Sequence, residues 1–326
     1  MLDFSELIIS SKAYNMVSQD TELGRISHAY LFLSKDENYL TKFCEMISKM
    51  LINLNEKENE QKNNLRIEKG IHPDVKYFGV AKAVDAETAS QIVDEANYSP
   101  FESDKKVFVL FNVQSMNEAS QNKILKTIEE PPQNTYFILA GSSANKLLQT
   151  IISRVKQIEL DEIPADKICK LLVDAGTEKL RAEICADSAC GNASYAEKLA
   201  TDDGFIDFYN QIVSAFFEIN GSRDVLKYSV YFNGKNIDKK EFLNIFMTIA
   251  RDVSMIVSKA ESLVINKASI NKLKVVASML NLGAINDLIN ECLIQKKNLE
   301  FNVGSTSVVD SVLFKLAEVK VKCRRL

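Results

Sequence analysis

Five consecutive apolar residues, Val107-Phe108-Val109-Leu110-Phe111, form the clearest strand pattern in this chain. They are β-branched, aromatic or aliphatic and do not alternate with polar residues, which is typical of a strand covered on both faces. The same pattern recurs at Ala29–Leu33 and at residues 136–140, and a weaker version occurs at residues 74–78. The sequence therefore predicts several short, buried strands in its first half.

Helical patterns separate these strands. Ala89, Ile92, Val93 and Ala96 recur at the spacing of one helix face. A second helix is predicted over residues 117–128, with Asn117 as its N-cap, and it should end before Pro131 and Pro132 because a residue that precedes proline avoids the helical conformation. Strands that alternate with helices predict an α/β domain with a mostly parallel sheet.

The chain changes character after about residue 160. All five prolines lie at or before Pro164, and the remainder is dense in helix formers. We therefore predict an α/β domain over residues 1–160, a small helical unit over 161–203 and an all-helical domain over 204–326. Two apolar stripes should form the helical core, one of Phe242, Phe246, Ile249, Val253 and Ile256, the other of Leu282, Ile285, Ile289 and Cys292.

Composition excludes several classes of protein. The 326 residues are 46% hydrophobic and 26% charged with a net charge of -4, which favours a globular protein over a free-standing nucleic-acid binder. The sequence contains no apolar run long enough to cross a bilayer and no secretory signal, so we expect a cytoplasmic protein. Six scattered cysteines and two histidines predict reduced thiols and no metal site.

Three segments together are specific: residues 24–32 (GRISHAYLF), 122–132 (NKILKTIEEPP) and 147–154 (LLQTIISR). In this order and spacing they resemble the clamp-loader branch of the AAA+ ATPases. The resemblance covers about the first 200 residues and extends weakly to Asn302-Val303 near the C-terminus. It implies an α/β AAA+-type domain with a mostly parallel sheet, then a helical lid and an all-α collar that serves oligomerisation.

The nucleotide site of that family is degenerate in this chain. A phosphate loop needs glycines whose N–H groups surround phosphates and a lysine that reaches them. The matching stretch, residues 34–42 (SKDENYLTK), has no glycine and puts Asp36 and Glu37 where phosphates would bind. Two carboxylates there repel a phosphate.

The metal-binding half of the site is also altered. The strand that should end in Asp-Glu ends in Phe111-Asn112, which supplies neither a metal-ligating carboxylate nor a base. The family's polar sensor residue matches Gly141, which has no side chain. These losses predict that the chain neither binds nor hydrolyses ATP and has no cofactor.

One catalytic element remains. Ser153-Arg154-Val155 matches the family's Ser-Arg-Cys motif. The resemblance implies that Arg154 acts in trans as an arginine finger on the ATP of a neighbouring subunit, with Ser153 as a supporting residue. The alternative is that Arg154 only pairs with an acid at a domain edge. An arginine finger in G-proteins changes the rate on the order of 10³ to 10⁵.

The combination is similar to the delta-prime subunits of bacterial clamp loaders, which are components of the DNA polymerase III holoenzyme. That resemblance implies a hetero-pentameric ring with motor ATPase subunits and delta, contact with the sliding clamp and primer-template DNA through the assembly, and no membrane partner. Many relatives carry a four-cysteine zinc module, but residues 53–70 contain no cysteine, so we expect no zinc. Two alternatives remain open: a divergent ATPase with an unusual phosphate loop, and a non-replicative AAA+-fold binding module.

Three local predictions complete the interpretation. Residues 53–69 are polar and charged and should form a solvated loop or a partly disordered insertion. His72 should be a hydrogen-bonded loop residue rather than a metal ligand. The basic residues near the C-terminus should form a solvated tail: Lys320, Lys322, Arg324 and Arg325.

Overall fold

Five parallel strands form one sheet in the first half of the chain. They are β1 (Ala29–Leu33), β2 (Val75–Phe78), β3 (Lys106–Leu110), β4 (Thr135–Gly141) and β5 (Lys156–Glu159), and their order across the sheet is β2-β3-β4-β1-β5. The predicted α/β class is confirmed, and the four predicted strands are present within a residue of their expected bounds. The fifth, β5, was not predicted, because its sequence KQIE has a single buried residue, Ile158.

This architecture comes from a computed structural model that describes residues 2–235, 237–300 and 305–324. The chain divides into two compact units. The first runs to Ile163 and includes Asn192–Tyr195, and the second comprises Pro164–Gly191 and the chain from Ala196 onward. The predicted boundary between 161–203 and 204–326 falls inside the second unit and stays a prediction. No helix in the described ranges is long and apolar enough to cross a membrane.

Helices cover both faces of the sheet. Phe32 on one face packs edge-on against Phe43, with ring centroids 4.9 Å apart. Leu31, Phe108 and Leu139 on the other face belong to an apolar cluster with Ala89 and other helical residues. The helices of the first unit are α1 (Ser5–Ile9), α2 (Lys12–Glu22), α3 (Glu37–Ile52), α4 (Glu60–Glu68), α5 (Ala86–Ala96), α6 (Glu118–Glu129) and α7 (Gln149–Ile152).

Local signals located α6 correctly. The side chain of Asn117 accepts a hydrogen bond from the Ser120 N–H at 2.8 Å, so the predicted N-cap is confirmed. The helix ends at Glu129, two residues before Pro131. The prediction for His72 is also confirmed, because its Nδ1 accepts a hydrogen bond from the Asp74 N–H at 3.2 Å.

The prediction of a loop throughout residues 53–69 is wrong, because α4 occupies Glu60–Glu68. Side chains from the segment before α4 hydrogen-bond to this helix. The buried Asn63 on α4 donates to Asn53 at 3.1 Å and to Glu56 at 3.2 Å. Ile67 is buried as well. Short polar side chains that bond to one another replace most of the apolar anchors, and composition alone does not reveal that pairing.

The second unit is helical. The predicted core residues Phe242, Phe246, Ile249 and Val253 are fully buried, whereas Leu282 is 42% exposed and was wrongly placed in the core. The buried face of its helix runs instead through Ile285, Leu288 and Cys292. The helices beyond residue 163 are α8 (Ala165–Asp174), α9 (Lys179–Ser188), α10 (Ala193–Thr201), α11 (Phe205–Glu218), α12 (Ser222–Phe232), α13 (Lys239–Val257), α14 (Ile270–Ala277), α15 (Leu282–Glu300) and α16 (Ser305–Arg324).

The basic residues near the C-terminus lie on α16, where Lys322 and Arg324 are exposed as predicted and Lys320 is not. Lys320 is buried in α16, and its Nζ donates to the carbonyl of Phe216 at the end of α11. Burial lowers the pKa of the Lys320 ammonium group to about 8. Lys322 pairs with Glu318, and Arg324 donates to Asn220 at 2.6 Å. The remaining member, Arg325, and the Asn302-Val303 motif lie outside the described residues.

Candidate functional site

A cavity of about 200 Å³ lies at the carboxyl edge of the sheet, beside the N-terminus of α3. This edge is where open parallel sheets usually bind ligands. The cavity is lined by Ser34, Glu37, Asn38, Leu40, Thr41, Val80, Phe111, Asn112, Gln114, Gly141 and Ser142. It therefore brings together three of the segments in which the sequence predicted a degenerate nucleotide site.

The N-terminus of α3 already carries a carboxylate. Asp36 is the N-cap, and its Oδ1 accepts the Tyr39 N–H at 3.1 Å. The same carboxylate accepts the Ser194 N–H at 3.1 Å and the Ser194 hydroxyl, and Asp36 is only 4% exposed. Helix N-termini bind phosphate through free N–H groups and the helix dipole. At the N-terminus of α3, a carboxylate of the protein itself, that of Asp36, accepts one of these N–H groups.

The two predicted carboxylates therefore differ in position. Asp36 is buried as a cap and does not line the cavity, whereas Glu37 is exposed and lines it. Glu37 is the single ionisable side chain among the lining residues. A polyphosphate placed there would meet a negative charge and no lysine.

A chain of side-chain amides crosses the ends of the central strands. Asn112 Nδ2 donates to the Gly79 carbonyl at 2.9 Å, and Gln114 Nε2 donates to Asn112 Oδ1 at 3.4 Å. Gln114 Oε1 accepts the Ser142 N–H at 3.2 Å. Asn112 has a left-handed backbone with φ 53°, a conformation that asparagine tolerates better than most residues. Neutral amides thus satisfy the backbone where a metal-ligating pair of acids would stand.

Gly141 is explained by the same chain of amides. A Cβ atom at this position would lie 2.3 Å from Gln114 Oε1 and 3.0 Å from a methyl group of Val113. The space that a sensor side chain would need is therefore occupied by Gln114. Sequence reasoning missed Gln114, and its signal was a polar residue shortly after the buried strand β3.

Arg154 and Ser153 lie away from this cavity. Ser153 is the C-cap of α7, and Arg154 follows it on the surface. Arg154 Nε pairs with Glu129 Oε1 at 2.7 Å, and its Nη1 donates to the Thr150 carbonyl and to Ser153 Oγ, both at 3.0 Å. The side chain of Arg154 is 41% exposed. An acid partner is thus present, as the alternative interpretation required, and the guanidinium still reaches solvent.

A buried glutamine fixes the segment that leads into α7. Gln121 on α6 is 2% exposed, and its Nε2 donates to the carbonyls of Met116 and Lys146, both at 3.0 Å. Its Oε1 accepts the Leu148 N–H at 2.8 Å. All three bonds are to backbone groups, so Gln121 ties the start of α7 to α6. Its role could not be deduced from sequence, because its partners are up to 27 residues away.

Comparison with protein families and characterised relatives gives consistent matches. A family model described as "DNA polymerase III, delta subunit" matches residues 9–164. DNA polymerase III subunit gamma of Buchnera aphidicola is 31% identical over 173 residues, which is 52% of this chain and 48% of that protein. Subunit delta' of Bacillus subtilis is 23% identical over 314 residues, or 94% of each chain. The chain spans about half the length of the gamma subunits that it matches.

Two solved structures also align with most of this chain. The Bacillus subtilis DNA clamp loader delta protein aligns with 93% of this chain and 99% of its own length, at 13% identity and a TM-score of 0.36. A DNA polymerase III gamma subunit-related protein from Thermotoga maritima also aligns with 93% of this chain and 99% of its own length, at 16% identity and a TM-score of 0.41.

Proposed function

We propose that this chain, which matches the clamp-loader family of DNA polymerase III subunits, is a delta-prime-type subunit that neither binds nor hydrolyses ATP. The alignment with a delta' subunit over 94% of both chains supports this type. The observation that carries the proposal is the internal carboxylate at the N-terminus of α3. Asp36 accepts the Tyr39 N–H, one of the groups at the N-terminus of α3 that a phosphate there would use, and it places a negative charge at that position.

The rest of the cavity supports the same conclusion. In-line attack on a γ-phosphate needs a metal ion, a group that orients water and cationic groups that stabilise charge. The carboxyl edge of the sheet instead presents the aromatic ring of Phe111, the amides of Asn112 and Gln114, and the carboxylate of Glu37. None of these groups is cationic, and a phosphate would be repelled by Glu37.

Arg154 is proposed to act on the ATP of the adjacent subunit. Its bond to Glu129 is a partly exposed surface ion pair, a class that contributes roughly 0–1 kcal/mol. An arginine finger that changes the rate on the order of 10³ to 10⁵ lowers the barrier by roughly 4–7 kcal/mol. The pairing with Glu129 is therefore too weak to withhold Arg154 from a γ-phosphate.

The proposed assembly follows the family. The chain takes part in a hetero-pentameric ring with motor ATPase subunits and delta, and it contacts the sliding clamp and primer-template DNA through that ring. Residues 161–203 act as a helical lid and residues 204–326 as the collar that joins the subunits. The chain contributes Arg154 and a fixed AAA+-type domain to ATP-driven clamp loading.

Reconstitution with the motor subunits and delta tests this function. Arg154→Ala should leave the assembly intact by gel filtration and lower its DNA-stimulated ATPase rate by at least about tenfold, since the arginine stabilises charge in the transition state. Lys62→Ala, which removes an exposed cation on α4 outside the proposed collar, is the control and should match the wild type. Full ATPase activity of the Arg154→Ala assembly would falsify the finger role.

Calorimetry on the isolated chain tests the absence of nucleotide binding. Titration with Mg-ATP should release no binding heat at micromolar protein. Micromolar or tighter binding would support a divergent ATPase instead. Failure of the chain to assemble with the motor subunits would favour a binding module outside replication.

A further inference from the structure

Two segments that are far apart in sequence meet at Arg154. Glu129 is the last residue of α6, and its Oε1 lies 2.7 Å from Arg154 Nε. We propose that Glu129 is a positioning residue, which holds the Arg154 guanidinium in the orientation that serves the neighbouring ATP site. This inference rests on the proposed trans role of Arg154 and assigns a second residue to it.

The guanidinium is held at two of its three nitrogens. Nε forms an ion pair with Glu129, and Nη1 donates hydrogen bonds to the Thr150 carbonyl and to Ser153 Oγ. No hydrogen bond of Nη2 occurs within the described ranges, so this nitrogen and its two protons remain available for a phosphate oxygen. Arginine presents its donors in a planar fork, so restraint of two nitrogens also sets the direction of the third.

Restraint matters because Arg154 is on the surface. A free arginine side chain samples many rotamers, and ordering it at the moment of catalysis adds to the barrier. The ion pair with Glu129 and the two hydrogen bonds of Nη1 reduce that sampling before the neighbour arrives. Two of them come from α7 and its C-cap, and the third comes from a different helix, so Glu129 alone fixes the guanidinium relative to α6.

The sequence around Glu129 explains why its carboxylate is well placed. Pro131 prevents Glu130 from adopting the helical conformation, so α6 ends at Glu129. Ile128 is fully buried and anchors the final turn. Gln121, two turns earlier, ties the same helix to the backbone before α7. Both ends of α6 therefore hold the α7 segment in place.

Glu130 provides a matched control. It is the next residue, carries the same charge and is exposed, yet it forms no ion pair with any residue in the described part of the chain. Removing either carboxylate changes the net charge equally. Only removal of Glu129 releases Arg154, so a difference between the two variants reports the contact and not the local electrostatic field.

The test is steady-state ATPase kinetics of the reconstituted assembly with Glu129→Ala, Glu129→Gln, Glu130→Ala and Arg154→Ala chains. We expect Glu129→Ala to lower kcat about three- to tenfold with KM for ATP unchanged, because the arginine acts in the transition state. Glu129→Gln, which keeps a neutral acceptor, should recover part of this loss. Glu130→Ala should match the wild type, and Glu129→Ala should cause no further loss in an Arg154→Ala chain.

The outcomes separate the two ideas. Full activity of Arg154→Ala would remove the trans role itself. A slow Arg154→Ala assembly together with a Glu129→Ala assembly as fast as Glu130→Ala would overturn the positioning role alone. A faster Glu129→Ala assembly would also overturn it, because Glu129 would then withhold the arginine. Gel filtration confirms that each variant is incorporated.

Discussion

Replacement of Asp36 by alanine tests the idea that an internal carboxylate has replaced the phosphate at the N-terminus of α3. Asp36 is 4% exposed and accepts hydrogen bonds from two backbone N–H groups, those of Tyr39 and Ser194. It also accepts the Ser194 hydroxyl proton. Alanine removes both carboxylate oxygens, and with them all three hydrogen bonds, and leaves the donors behind.

The expected loss follows from these contacts. Truncation of an aspartate N-cap costs about 1 kcal/mol. The Ser194 N–H then lies in a half-buried site without its acceptor, which adds about 1–3 kcal/mol. The free energy of unfolding of the first unit should therefore fall by roughly 2–4 kcal/mol. Ser194→Ala removes the hydroxyl bond alone and should cost about 1 kcal/mol.

Two measurements check this value. The chain contains no tryptophan, so urea unfolding is best followed by far-ultraviolet circular dichroism. Hydrogen exchange at the Tyr39 amide reports the cap directly and should accelerate in Asp36→Ala but only slightly in Ser194→Ala. Asp36→Asn, which keeps a cap acceptor without the charge, should lie between the wild type and the alanine variant.

A loss below about 0.5 kcal/mol in Asp36→Ala would refute the reasoning, since surface substitutions already vary within that range. Unchanged exchange at the Tyr39 amide would refute it separately. Either result would mean that the carboxylate does not stabilise the N-terminus of α3.

Two further predictions concern packing and pH. Gly141→Ala should lower the free energy of unfolding by about 1–3 kcal/mol, measured by thermal unfolding, because the new methyl group would lie 2.3 Å from Gln114 Oε1. If Gly141→Ala costs as much in a Gln114→Ala chain, where that oxygen is absent, the clash with Gln114 is not the cause. Burial raises the pKa of the half-buried Asp187 carboxyl from 3.8 to about 7, against a hydrogen bond from the Lys267 backbone that lowers it. The folded chain then binds the proton more tightly than the unfolded chain, so this group's contribution to stability is present at low pH and is lost as pH rises from about 4 to about 7. Asp187→Asn has no carboxyl group to ionise, so its stability should not fall over this pH range for that reason. The free energy of unfolding of the variant minus that of the wild type, measured in urea, should be greater at pH 8 than at pH 5 by roughly 1–3 kcal/mol. The same difference at both pH values would contradict the prediction.

The sheet could be predicted because its signals are local. Strands β1, β3 and β4 are buried on both faces and therefore read as apolar runs, and Asn117 marks the start of α6 by its own side chain. Edge strand β5 has no such pattern, because three of its four residues are not buried. Helix α4 was missed for another reason: its polar side chains bond to Asn53 and Glu56, which lie outside the helix.

The candidate site also has features that could be predicted from the sequence and features that could not. The absence of glycines near Asp36 and the loss of acids at Phe111-Asn112 are visible in the sequence. The groups that replace these glycines and acids cannot be recognised in the sequence, because each replacement depends on a contact between distant residues. Asp36 pairs with Ser194, 158 positions away, and Gln114 reaches Ser142 across 28 positions. Composition and periodicity carry no information about such pairs.

The separation between cavity and arginine has a consequence for how this chain could lose one activity and keep another. Arg154 is held by Glu129, Thr150 and Ser153, and none of these residues lines the cavity. Substitutions that fill or discharge the cavity therefore leave the contacts of Arg154 unchanged. In a ring in which each subunit supplies an arginine to its neighbour, a chain can stop binding ATP without impairing the ATP site next to it. The physical independence of the two sites supports the proposal that this chain is a fixed, non-hydrolysing member of its assembly.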